Sequence, residues 1–419
     1  MTPSKSEPIQ PPSLAREMFN KVPAITLYFW VIKVLCTTVG ETASDFLNVN
    51  LNLGLTGTSV VMGFLLLVAL FIQIKTRKYV PVIYWLTVVL ISVFGTLVTD
   101  NLTDSMGVPL EVSTILFSVL LAVTFAVWYA KEKTLSMHSI FTTRREIFYW
   151  IAILFTFALG TASGDLMAES LGLGYFTTGV IVCVVIAIFA IAWKLGLNSI
   201  LAFWLIYIMT RPLGASLGDY LSQSREHGGL GLGATKTSAI FILGIIATVV
   251  FLVVTKRDVV TNPEVDEQAE EKEGHALLQV AAVAVLLVVA SVGGYYWRQN
   301  ALKTRANNEV TSPTGSTGLN ANAKAPTSPL GDLSSFKNIA QDCLDFTNKG
   351  DLVGAKNRVA DLEYEWDNAQ ARLKPMNAAR WTEIDGAIDR VLRELRSVNP
   401  NVQSSKAALE ALLAVLNKP

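Results

Sequence analysis

The chain has 419 residues, 51% hydrophobic and only 16% charged, with a formal net charge of zero. Soluble domains carry about 25% charged residues, so this composition excludes an ordinary soluble protein and points to a membrane. A neutral chain gives no electrostatic footprint for nucleic acid, and three cysteines without a C-x-x-C exclude a disulfide scaffold and a zinc knuckle.

In chain order, residues 1–21 form a polar, Pro-rich arm without a signal-peptide core, expected to be disordered and cytoplasmic. Apolar runs then alternate with short polar breaks, near 22–40, 57–74, 79–99, 111–130, 147–164, 175–193, 199–218 and 236–255. Each approaches the 20 or so residues that a helix needs to cross a hydrocarbon core of about 30 Å. The runs lack period-2 alternation, so they read as helices, whose backbone satisfies itself within lipid. Cys36 and Cys183 lie inside these runs and read as small core residues. An acidic connector, residues 258–275, follows the eighth run, and a ninth span is expected at 276–297. Residues 298–331, rich in Ser, Thr, Asn, Pro and Gly, read as a disordered linker.

From 332 to 419 the composition becomes soluble, with 13 acidic and 12 basic residues. Val359, Leu362, Trp366, Ala369 and Leu373 are spaced as one helical stripe. After the break KPMN, so are Trp381, Ile384, Ile388, Leu392 and Leu395. Phe336, Ile339, Leu344 and Phe346 suggest a helix before this hairpin, and Leu409, Leu412, Leu413 and Leu416 one after it. The segment is expected to fold as a small helical bundle.

Basic residues mark one set of breaks: Lys75, Arg77 and Lys78; Lys131, Lys133, Arg144 and Arg145; Lys194; Lys256 and Arg257. Positive residues collect on the cytoplasmic side. This predicts a cytoplasmic N-terminus, nine crossings and an exported C-terminal bundle, which in a bacterial inner membrane would be periplasmic. Arg298, Lys303 and Arg305 run against the rule locally.

A four-fold repeat organises the membrane region. FWVIKVLCTTVGETASD, YWLTVVLISVFGTLVTD, YWIAILFTFALGTASGD and FWLIYIMTRPLGASLGD superimpose without a gap. They place tryptophan at Trp30, Trp85, Trp150 and Trp204. Glycine follows at Gly40, Gly95, Gly160 and Gly214, and aspartate at Asp45, Asp100, Asp165 and Asp219. Each unit adds a second apolar helix, giving repeats 22–78, 79–145, 146–198 and 199–257 within a core of 22–257. With two spans per unit the repeats are parallel, related by an axis along the membrane normal. Tryptophan is expected toward the cytoplasmic interface, glycine at a close helix contact, and the aspartates as a quartet at one depth near the outer end.

In these residues the chain resembles the bacterial membrane-anchored proteins with four tandem two-helix transmembrane repeats of unknown function. The resemblance covers about residues 22–257. It implies an all-α polytopic membrane bundle and a membrane location, and no activity.

An acidic residue at membrane depth is costly and is by default a functional-site hypothesis. The four aspartates read either as that site or as helix caps at the outer interface. Lys33, Thr37, Glu41 and Asp45 recur every four residues along one face of the first helix. Arg211 stands at the Thr37 position of the fourth unit, before Pro212, where a bend is expected. Lys33, Glu41 and Arg211 should face one another rather than lipid, as a structural ion pair or as a substrate or proton relay. Asp104, Glu111, Glu169, Glu226, His227, His138 and His275 read as loop residues. No H-E-x-x-H, G-x-S-x-G, Walker loop or dinucleotide fingerprint occurs, and GLGLGATKTS at 229–238 lacks P-loop spacing. The expectation is a non-enzyme without cofactor or metal: a transporter or channel for a small solute or cation. The alternative is an envelope scaffold or sensor whose bundle binds a periplasmic protein partner.

Overall fold

The computed structural model describes residues 20–47, 54–106, 108–223, 229–258, 276–311, 328–374, 376–397 and 400–418. The first 19 residues, Glu226, His227, most of the acidic connector with His275, and residues 312–327 lie outside the described set. All elements longer than a bridge are helical: α1 Leu27–Asp45, α2 Gly54–Lys75, α3 Pro81–Asp100, α4 Leu110–Glu132, α5 Thr143–Asp165, α6 Tyr175–Lys194, α7 Ser199–Ser222, α8 Ala234–Thr255, α9 Ala276–Thr311, α10 Ser334–Asn348, α11 Leu352–Leu373, α12 Ala378–Arg396 and α13 Val402–Leu416.

Two compact units divide the chain. Among the described residues, one gathers those within 1–46, 55–164 and 178–283, and the other those within 47–54, 165–177 and 284–419. Eight of the described helices, α2 to α9, are long and apolar enough to cross a membrane. The remaining helix of the nine expected, α1, is 19 residues long but carries Lys33, Glu41 and Asp45. It is buried along most of its length.

Within each repeat the two helices divide the labour. In α3, α5 and α7, 61% of the apolar window is buried, against 17–28% in α2, α4, α6 and α8. The first helix of every unit therefore builds the interior, and the second offers Val, Leu, Ile and Phe outward, as a lipid-facing shell must. Cys183 follows that outer face and is exposed, against the expectation that it is a core residue.

Local signals set the helix starts. Thr26 caps α1 by accepting from the Phe29 amide, Pro81 opens α3, and Asn198 caps α7 by accepting from the Ile200 and Leu201 amides. α7 runs from Ser199 to Ser222 with Pro212 inside it. Beyond Asp100 and Asp165 the backbone widens into π-helical turns, Asn101–Ser105 and Leu166–Ser170.

Three expectations at the membrane edges change. Asn20 and Lys21, read as part of a solvated arm, are buried: Tyr79 N donates to Asn20 O, and Lys21 N to Ile140 O. Asp258, read as the start of a solvated connector, is 2% exposed because Tyr79 Oη donates to its Oδ2 at 2.6 Å. α9 continues to Thr311, well into the segment read as linker. That stretch, RQNALKTRANNEVT, has good helix formers and no Gly or Pro before Pro313.

In the second unit, α10 to α13 close over their own core. Trp366 and Trp381 stack at 3.9 Å, and Trp366 Nε1 donates to Asp385 Oδ1 at 2.9 Å. Cys343 is buried in this core, and burial pushes its thiol up from the ordinary 9.0 to about 12. A raised thiol pKa stabilises the fold fully below pH 9, and that stability is lost as pH rises through about 12. The chemical stability of the bundle should therefore fall across this window. Cys343→Ala should flatten that part of the slope, and an identical slope in variant and parent would refute the assignment.

Candidate functional site: a closed ring of four helices

Counting from each repeat tryptophan as position 0, the same positions meet around the ring. Position −1 holds Phe29, Tyr84, Tyr149 and Phe203, all buried. Each ring packs on the tryptophan of the following unit: Phe29 on Trp85 at 5.6 Å, Tyr84 on Trp150 at 5.5 Å, and Tyr149 on Trp204 at 6.2 Å. Phe203 returns to Trp30 at 5.7 Å. The circuit 1→2→3→4→1 is closed.

Position +10 repeats the circuit one layer along the helices. A Cβ on Gly40 would overlap Ser92, one on Gly160 would overlap Arg211, and one on Gly214 would overlap Thr37. On Gly95 it would stand 2.7 Å from Cβ of Phe157. Thr37, Ser92, Phe157 and Arg211 all occupy position +7. Each glycine thus receives the +7 side chain of the next unit, and the fourth receives that of the first. This is the close helix contact expected of the glycines. Trp85, Trp150 and Trp204 are buried and Trp30 is half-buried, each taking the aromatic ring of the preceding unit.

Four helices in cyclic contact leave two diagonals, α1 to α5 and α3 to α7. Lys33 and Arg211 lie along them. Lys33 reaches from α1 across the ring to α5, with Nζ 3.9 Å from the centroid of Phe157 and 4.2 Å from that of Tyr207. Arg211 reaches from α7 to α3, donating from Nη2 to Thr96 Oγ1. The same nitrogen donates to Glu41 Oε2 at 2.6 Å. Lys33 and Arg211 are 1% and 0% exposed. The axis is thus occupied by two long side chains that cross it.

The expected meeting of Glu41 with Arg211 is therefore present. Lys33 joins the cluster through aromatic faces instead of a carboxylate. Asp45, Asp100 and Asp165 end their helices and are half-buried, while Asp219 lies in the last turn of α7 and is buried.

The sequence reading did not single out Ser92, Thr96, Phe157 or Tyr207. Their signal was available in the register: Ser92 and Phe157 share the position of Thr37 and Arg211, Thr96 that of Glu41, and Tyr207 that of Lys33. It also missed a second polar cluster at the tryptophan end. There Lys21 Nζ donates to Glu146 Oε2 at 2.6 Å, and Gln73 Nε2 donates to Glu146 Oε1 at 3.2 Å. Glu146 is 0% exposed. Nearby, Trp85 Nε1 donates to Tyr79 Oη at 3.2 Å, which passes the chain on to Asp258. Burial raises the pKa of both Tyr79 and Asp258 from their ordinary values. Among the described residues, no group of three or more His, Cys, Asp or Glu is placed to hold a metal ion.

A family model described as Repeat of Unknown Function (DUF347) matches residues 28–79, 83–134, 148–195 and 202–258. Each match falls on one unit of the ring. No curated protein and no solved structure matches the chain significantly.

Proposed function

We propose a transport role for this chain, which belongs to the DUF347 repeat family. It is a multi-pass integral membrane protein, and its solute path would run along the axis of the ring. The observation that carries this reading is the charged cluster on that axis. Two cations and a carboxylate buried among membrane helices are costly, and such groups mark substrate or proton pathways. With Lys33 and Arg211 crossing the axis, the state described is closed, so the reading is of an alternating or gated carrier rather than an open pore. The aromatic layer at position −1 and the buried Asn20–Val22 segment would form one gate. The ring of aspartate-bearing helix ends would form the opposite mouth.

In this reading the protein lies in the inner (plasma) membrane, with the N-terminus in the cytoplasm and the bundle outside. Reporter fusions after Lys78, Lys133 and Arg257 should read cytoplasmic and a fusion after Arg305 exported. A cytoplasmic C-terminus would overturn that topology. For transport, the untargeted solute and ion content of cells expressing the protein should differ from that of cells expressing Lys33→Met at equal protein level. Equal content would count against the role.

A second reading rests on the bundle, which has a complete core of its own. It would serve as a partner-binding module of an envelope scaffold or sensor. Deleting residues 298–419 separates the two: solute differences persist if the ring acts alone and vanish if the bundle is the working part.

A further inference from the structure

The axial cluster is not satisfied by the protein itself. Among the described residues, Lys33 Nζ, Arg211 Nε, Arg211 Nη1, Ser92 Oγ and Tyr207 Oη are buried and have no hydrogen-bond partner. All five belong to the first helices of the ring, at positions +3 and +7, one helical turn apart. Buried polar groups are normally paired, and an unpaired one is destabilising, more so when charged. Five such atoms on two adjacent turns of the ring helices point to a site rather than a packing accident.

The chemistry of the set is one-sided. Lysine and arginine nitrogens only donate, and the two hydroxyls can donate. Among the described contacts, the one carboxylate that touches the cluster, Glu41, is engaged by Arg211 Nη2. With both side chains ionised, two cations against one carboxylate leave one positive charge uncompensated. The rings of Phe157 and Tyr207 under Lys33 Nζ offer it a partial negative face but no counter-charge. A cation would meet repulsion here, whereas an anion would find donors from three of the four ring helices.

We infer that Lys33, Arg211, Ser92 and Tyr207 form a binding site for one small monovalent anion on the ring axis, of the class of chloride, formate or acetate. One negative charge balances the cluster. The tight approach of the +7 side chains to the glycines, and the aromatic rings about 4 Å from Lys33 Nζ, restrict the occupant to an anion of few atoms. The site deepens the transport reading by naming its substrate class, but it stands on its own as a binding site.

The test uses the purified full-length protein in detergent. Melting is measured in sodium chloride, formate and acetate against sodium gluconate at equal ionic strength, since gluconate is too bulky for the site. The expected result is a saturable rise in Tm of several degrees with at least one small anion, as mass action requires of a ligand that binds only the folded state. Lys33→Met should abolish the rise, Lys33→Arg should keep it, and the exposed Lys236→Met should leave it unchanged. If Lys33→Met does not fold, bromide bound to the unaltered protein gives the answer through its anomalous scattering, with a peak expected between Lys33 and Arg211. Equal melting in all four salts overturns the site, as does bromide found only away from the axis. Anion binding in detergent without anion uptake into liposomes overturns the transport reading and leaves the site standing.

Discussion

Gly214→Ala should cost the ring more stability than any other single methyl group added to it. Its Cβ would overlap both Oγ1 and Cβ of Thr37 and stand 2.9 Å from the Thr37 backbone carbon. Oγ1 is the tip of a stiff β-branched side chain, and Cβ and the backbone carbon cannot rotate away, so relief requires α1 and α7 to move apart. Overpacking of this kind costs about 1–3 kcal/mol in ordinary cores, and the backbone contact puts Gly214→Ala at or above the upper end. Gly40→Ala should be milder and repairable. Its overlap is with Oγ of Ser92, together with a 2.7 Å approach to Ser92 Cβ, and Ser92→Gly removes both atoms. The nearest remaining atom is then the Ser92 backbone carbon at 3.1 Å. Yield of monodisperse protein and Tm in detergent read the effect. Gly40→Ala should lower both, and Gly40→Ala with Ser92→Gly should recover most of the loss. Gly244→Ala, whose Cβ would meet only Leu35 at an ordinary 3.6 Å, should be tolerated. If Gly214→Ala and Gly40→Ala melt like Gly244→Ala, the closed circuit of glycine contacts is wrong.

That circuit explains how much of the fold was legible beforehand. The membrane helices were readable because lipid imposes both a length and an apolar composition on each of them. The four-fold repeat was readable because tryptophan, glycine and aspartate recur at one spacing. From parallel repeats the ring follows, since each unit offers the same two surfaces and the last must meet the first. The partner of each glycine is not in the pattern, because position +7 varies: Thr37, Ser92, Phe157 and Arg211 share no chemistry. Only the constancy of the glycine at +10 hints that something always arrives there.

The central cluster divides in the same way. Glu41 and Arg211 could be paired from sequence, since a buried cation in a membrane needs a counter-charge and few carboxylates are at hand. The partners of Lys33 could not. Phe157 and Tyr207 look like ordinary apolar lining until the diagonals of the ring place them beneath the ammonium group. The burial of Lys21, Glu146 and Asp258 was hidden for another reason: charged residues at helix ends normally mark the interface. Here hydrogen bonds between segments distant in sequence, such as Lys21 to Glu146 and Tyr79 to Asp258, fold those ends inward.

Glu41→Gln should destabilise the protein by about 3–5 kcal/mol, the usual cost of removing one partner from a buried ion pair. Arg211 would keep Thr96 but lose its only carboxylate among the contacts described. Arg211→Gln should cost less, because Glu41 is 8% exposed and closer to water than Arg211 at 0%. The double variant Glu41→Gln with Arg211→Gln should recover stability relative to Glu41→Gln, giving a coupling energy in a double-mutant cycle. The anion response sharpens the test, because each change alters the charge left on the axis. With Lys33, Arg211 and Glu41 ionised, the unaltered cluster carries one excess positive charge. Glu41→Gln raises it to two, so this variant should depend more steeply on chloride, and high chloride should restore part of its lost Tm. Arg211→Gln lowers the excess to zero, so its Tm should be the same in chloride and gluconate. The double variant returns to one excess charge, now on Lys33 alone, and should respond weakly. Solute transport should be lost in Arg211→Gln and stay lost in the double variant even where stability returns. Recovery of transport with stability would make the pair a structural brace and remove Arg211 from the path. An anion response unchanged across all three variants would show that the charge on the axis does not govern binding.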